Sequence, residues 1–81
     1  MDPIKATIIL FAGNFAPMGW AFCEGQLINK QAAEPLFAIL GNTYGGDGIK
    51  TFALPNLKEA EKQLGGVRYI IAVDGIFPSH N

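Results

Sequence analysis

The sequence predicts an α+β fold: a small, mainly antiparallel sheet, one buried helix, a long glycine-rich loop, and a last strand taken from the C-terminal end. Three observations carry this. Two apolar runs rich in β-branched residues, 4–12 and 67–73, lie at opposite ends of the chain. Neither can bury its faces alone, so the two are expected to pair in one sheet with whatever extended pieces lie between them. A central apolar stretch ending at Gly41 has helix-forming neighbours and a glycine stop. Directly after it, residues 41–48 hold four glycines in eight positions, a density used where the backbone must take positive φ or approach something closely.

Each element follows in order. Residues 4–12 are apolar apart from Lys5 and Thr7, which fits a strand covered on both faces. Residues 13–19 form a loop around Pro17. Trp20 to Cys23 and Gln26 to Ile28 are short extended pieces, with Glu24-Gly25 as a two-residue hairpin turn between them. Asn29 is a helix-cap candidate, and Ala32 and Ala33 favour helix. The regular helix is expected to begin near Glu34, with Pro35 at the first helical position. Leu36, Phe37, Ile39 and Leu40 are nearly all apolar, so the helix reads as buried and not amphipathic. Residues 51–54 are extended and stopped by Pro55. Residues 58–63 are the one charge-dense run; with Gly65-Gly66 they read as an exposed connection with room for a helical turn. Residues 67–73 are the second strong strand, Asp74-Gly75 turns, and Ile76-Phe77-Pro78 closes the fold.

Length and composition set limits on function. Eighty-one residues make one small domain, expected here to span 1–81. Domains of this size bury only about 60% of their unfolded surface. Yet 49% of the residues are hydrophobic and only 16% charged, so apolar area is left over for a partner, most simply another copy of the chain. The net charge is −1, with the basic residues scattered; nothing forms the basic stripe that nucleic acid requires. No stretch is long enough to span a membrane, and no signal peptide is evident, because residues 6–12 are short and interrupted. The single cysteine, Cys23, cannot form an internal disulfide and reads as a small buried hydrophobe.

No catalytic, metal or cofactor site is expected. His80 and Ser79 sit at the chain end without a positioned partner, and Cys23 has no evident base. Gly48-Ile49-Lys50-Thr51 resembles the end of a phosphate-binding loop, but Ile49 separates the glycine from the lysine and the loop follows a helix. Asp47 stands alone, whereas a calcium loop needs several alternating acids. Two readings stay open for Tyr44, Gly45, Gly46, Asp47, Gly48 and Lys50. They form either a structural turn, with Asp47 bonding nearby backbone, or an anion- or ligand-binding loop whose N–H groups make a concave nest. Trp20, Phe15, Tyr44 and Phe52 could form a sugar platform, although aromatics in a small domain are more often core; Tyr44 is the most open of these.

Several spaced motifs together resemble the phage tail collar domain family, which includes tail-fibre collars and the bacterial microcystin-dependent proteins. They are Ile9-Leu10-Phe11-Ala12-Gly13-Asn14-Phe15-Ala16-Pro17, Gly19-Trp20, Cys23-Glu24-Gly25-Gln26-Leu27, the glycine run with Thr51-Phe52-Ala53-Leu54-Pro55-Asn56-Leu57, and the ending Tyr69 to Ser79. The resemblance implies a non-enzymatic assembly module of a phage tail or tail-like particle, forming a homo-oligomer, specifically a trimer, in contact with other tail proteins. It implies location in the virion tail, or in the bacterial cytoplasm before assembly. Family members often carry a long insertion before the last strand; here residues 58–66 replace it, so receptor recognition does not carry over. The alternative is a small lectin-like or anion-binding interaction protein of bacterial origin.

Overall fold

The computed structural model describes residues 2–78. The order is β1 (Ile8–Phe11), β2 (Trp20–Phe22), β3 (Leu27–Asn29), a 3₁₀ turn (Lys30–Ala32), α1 (Glu34–Leu40), β4 (Thr51–Ala53), α2 (Lys58–Glu61) and β5 (Arg68–Ala72). The fold is α+β, with two small antiparallel sheets where one was expected: β1-β5-β2 and β3-β4. The two strong apolar runs do pair, Ile8 opposite Ile71 and Phe11 opposite Arg68, and β5 lies between β1 and β2.

The first strand is shorter than residues 4–12, and a local kink explains why. The Ala6 N–H and the Thr7 carbonyl both bond Ala72, at 2.7 and 2.8 Å, so two residues face one. This is a β-bulge, and Ala6 takes the positive φ of 74° that such a bulge favours in its first residue. Before the bulge, Ile4 leaves the ladder and forms a parallel bridge with Ile76. The expectation that this strand is covered on both faces is also corrected. As an edge strand it keeps Ile8, Ile9 and Leu10 at 38, 44 and 50% exposure.

The expected hairpin through Glu24-Gly25 does not form. After β2 the Gln26 side chain ties the corner, donating to the Phe22 carbonyl at 2.8 Å and accepting from the Glu24 N–H at 3.0 Å. The chain then runs beside residues 54–57. The Gly25 N–H donates to Pro55, the Leu54 N–H to Gln26 and the Leu57 N–H to Cys23. So β2 and β3, adjacent in sequence, belong to different sheets.

Asn29 caps the 3₁₀ turn instead of the helix, accepting from the Gln31 N–H at 2.9 Å. α1 starts at Glu34 with Pro35 in its first turn, where a missing N–H costs nothing. The Gly41 N–H closes the helix on the Phe37 carbonyl at 2.7 Å. Burial along α1 is one-sided. Leu36 is buried and Phe37, Ile39 and Leu40 are half-buried, while Ala38 is exposed. All-round burial was expected, but two sheets this small cover only one side of a helix.

Cys23, Leu36, Phe52, Leu54 and Ile71 form the core, joining both sheets and α1. Phe37 meets Phe52 edge to face at 5.4 Å between ring centroids. Burying each of the larger of these side chains contributes about 1.5–3 kcal/mol. Of the four aromatics considered as a platform, Phe52 is fully buried and Trp20 half-buried, whereas Phe15 is 78% exposed and does not belong to the core.

Candidate functional site

The glycine loop hangs between the end of α1 and the start of β4, and its own acid organises it. Asp47 Oδ1 accepts the N–H groups of Ile49, Lys50 and Thr51 at 2.8, 2.8 and 3.0 Å. The Asp47 N–H donates in turn to Thr51 Oγ1 at 3.3 Å. The Gly45 N–H goes to the Asn42 carbonyl and the Gly48 N–H to the Thr51 carbonyl, at 3.2 and 2.9 Å. The backbone donors clustered on Asp47 hold its carboxyl down at about 2, the bond from Thr51 counting most. The donors that would form an anion nest are therefore largely engaged inside the loop.

Gly46 sits where a side chain cannot. A β-carbon there would lie 2.5 Å from the Phe52 α-carbon and 2.7 Å from the Thr51 carbonyl oxygen, and the residue has φ of 85°. The loop thus lies directly on the buried strand β4. Tyr44, Ile49 and Lys50 of this loop face solvent, Tyr44 at 51% and Ile49 at 75% exposure.

Cys23 is fully buried in the core. Burial, with a smaller contribution from the Glu61 charge, pushes its thiol up to about 11, so it stays protonated and unreactive near neutral pH. His80 and Ser79 lie outside the described residues.

The role of Glu61 is not apparent from its immediate sequence neighbours. It belongs to the run read as exposed, yet its side chain is 11% exposed. It accepts the Tyr69 N–H at 2.7 Å and lies 3.8 Å from Arg68 Nε. Arg68 also pairs with Glu24 at 2.6 Å and stacks 3.6 Å over the Phe22 ring. These contacts pin α2 and the connection after it to β5 and β2. The available signal was Arg68, the one charge in the run 67–73: a cation in a buried strand calls for a nearby acid.

The other prominent surface is apolar. Besides β1, Ile4, Phe15, Met18, Leu27, Ile49, Ile76 and Phe77 are exposed, with Met18 wholly so. The sequence has no charged residue from Ala6 through Cys23, so no charge interrupts the edge of the three-stranded sheet. A groove of about 640 Å³ also opens between the sheets and α1, lined by Ala21, Ile28, Ala33, Leu54 and Val73, with Lys5 reaching in. The Lys5 side chain is 10% exposed and its ammonium lies 3.8 Å from the Asp74 carboxylate. No helix among the described residues is long and apolar enough to cross a membrane.

Neither the comparison with curated proteins nor that with solved structures gave a match. The family comparison did. The model of the phage tail collar domain matches residues 6–61, from the bulge at the head of β1 through the glycine loop and β4 to the end of α2. That span is well over half of the chain, and it shows that the chain belongs to the phage tail collar domain family.

Proposed function

We propose that the chain is a non-enzymatic assembly module of a phage tail or tail-like particle, acting by association with copies of itself and with other tail proteins. The observation that carries this reading is the uncharged, exposed edge strand β1, with Ile8, Ile9 and Leu10 all 38% exposed or more. Monomeric proteins rarely leave such an edge open, because it templates pairing with another chain. Membership of the collar family supports placement in the virion tail. The resemblance implies a trimer and no bound cofactor. Residues 1–81 are read as one unit, with 58–66 in place of a longer insertion. Light scattering at micromolar concentration tests the reading: a mass of several chains is expected, and a clean monomer overturns it.

A second reading makes the glycine loop a ligand site of a lectin-like or anion-binding protein. Exposed Tyr44 and Lys50 beside Asp47 favour it; the engaged N–H groups of residues 45 and 47–51 weigh against it. We favour the loop as a shape-determining turn in which Gly45, Gly46, Asp47 and Gly48 serve the fold. Titrating sulfate, phosphate and simple sugars decides. Saturable binding in the wild type that is lost in a still-folded Lys50→Ala variant would transfer the loop to the second reading.

A further inference from the structure

The bulge at the head of β1 sets the direction of Lys5. Ala6 packs against the core and Thr7 is exposed. Strict strand alternation would therefore send Lys5 outward with Thr7. The bulge, with Ala6 at φ of 74°, breaks the alternation. Lys5 instead turns inward beside Ala6, its side chain 10% exposed, on the wall of the apolar groove between the sheets and α1. The one acid within 4 Å of its ammonium, among the described residues, is Asp74 at 3.8 Å, longer than a hydrogen bond. The Asp74 side chain is 84% exposed, and its Oδ1 accepts the Gly75 N–H at 2.9 Å. A cation nine-tenths withdrawn from water ordinarily has close acceptors. This one has a distant, solvated acid and an open apolar space.

We propose that the groove binds a small carboxylate with an apolar body, of the class of a medium-chain fatty acid. The carboxylate sits on the Lys5 ammonium, and the chain lies along Ala21, Ile28, Ala33, Leu54 and Val73. Asp74, being mostly in solvent, swings aside. The site is separate from the glycine loop and independent of the self-association reading.

Three features select this ligand. The groove volume of about 640 Å³ falls within the roughly 300–1,000 Å³ of small-molecule sites, which pair an apolar lining with a few polar groups. Lys5 is the one basic residue lining it, and Asp74 is close by. A single negative charge balances that cation, whereas a doubly charged phosphate would face Asp74 uncompensated. A second copy is the poorer occupant. The exposed apolar strip from Ala6 through Cys23 carries no acid, so laying it in the groove would cover the ammonium without adding an anion.

The test titrates the full chain with sodium octanoate by calorimetry. Saturable binding of one octanoate per chain is expected. Lys5 joins the sheet through its main chain, its N–H donating to the Ile76 carbonyl at 2.7 Å. Lys5→Met keeps an apolar stem without the charge and is expected to fold with an unchanged far-ultraviolet spectrum. It should bind octanoate roughly tenfold or more weakly, as loss of one charge-assisted hydrogen bond implies. Asp74→Asn removes the competing anion, keeps an acceptor for the Gly75 N–H, and should bind octanoate severalfold more tightly. Octanol, with the same chain and no charge, should not distinguish wild type from Lys5→Met. Should Lys5→Met fail to fold, the Asp74→Asn result decides alone. Absence of saturable binding to the wild type, equal affinity in a folded Lys5→Met, or no gain in Asp74→Asn overturns the site. Failure of octanoate beside saturable binding of a short apolar peptide with a free C-terminal carboxylate also overturns it, and gives the groove to a protein partner.

Discussion

β5 has a strand on each side, and its Ile70, Ile71 and Ala72 are 1, 0 and 0% exposed. β1, whose Ile8-Ile9-Leu10 is close to it in character, has one neighbour and stays 38 to 50% exposed. Both runs are apolar and β-branched, the signature of a strand covered on both faces. The difference between them is position in the sheet. An apolar run states a demand for cover; it does not state whether the same chain meets that demand. In β5 the chain meets it; in β1 it leaves Ile8, Ile9 and Leu10 exposed.

The sharpest way to break this contrast is to remove β5. Ending the chain after Gly66 takes away the central strand and leaves β1 and β2 with no shared partner. Complete loss of the cooperative thermal transition is expected, since isolated strands do not hold together in water. A surviving transition would mean that the sheet is not organised around β5. Single substitutions grade the same contrast. Ile71→Ala should cost about 2–5 kcal/mol in a urea titration, as a fully buried large-to-small change does. Ile9→Ala, measured at dilutions where the chain is single, should cost about 1 kcal/mol or less. Equal costs would place both strands in the same environment.

The inside–outside division extends to the glycines. Gly46 backs onto Phe52, so Gly46→Ala combines a clash with main chain and an unfavourable φ; a loss of about 2 kcal/mol or more is expected. Gly65 has φ of 66° and nothing within 4 Å of a new β-carbon. Its alanine variant should lose only the backbone cost, about 1 kcal/mol. If the two lose the same amount, the loop is not seated on β4.

The smallest effect concerns Asp47, whose bonds stay within its own loop. Its carboxyl is lowered to about 2 in the folded chain, against about 3.9 unfolded. A depressed acid contributes stability that is complete above the unfolded value and is lost as pH falls through the folded one. Asp47→Ala should therefore melt lower than wild type at pH 7. The gap should narrow below about pH 4 and nearly close by about pH 2. A gap independent of pH would mean that the carboxylate charge plays no part in holding the loop.

Elements with strong local chemistry were legible in the sequence. The last strand was expected at 67–73 and is Arg68–Ala72; the helix was expected from Glu34 to its glycine stop and is Glu34–Leu40. Asp47 reads as a turn residue from its glycine neighbours, and it is one. What stayed hidden depended on partners distant in sequence. Glu24-Gly25 has hairpin chemistry, but the chain there is claimed by residues 54–57, and no local pattern reports that competition. Glu61 looks like its charged neighbours, and only the approach of β5 gives it a main-chain donor. The exposure of β1 was hidden for the related reason that residue type records burial without recording whose surface provides it.

The order of strands in the sheet also governs how the chain reaches its structure. Ile8 and Ile71 are partners although roughly sixty residues separate them in sequence, and β2 too must wait for β5. Folding is expected to be slow for so small a domain, because the loop closure that brings β5 home precedes most of the contacts that reward it. During synthesis β1 emerges early and remains an uncharged, sticky segment until β5 has been made. That interval is when the chain is most prone to aggregate and most in need of a chaperone.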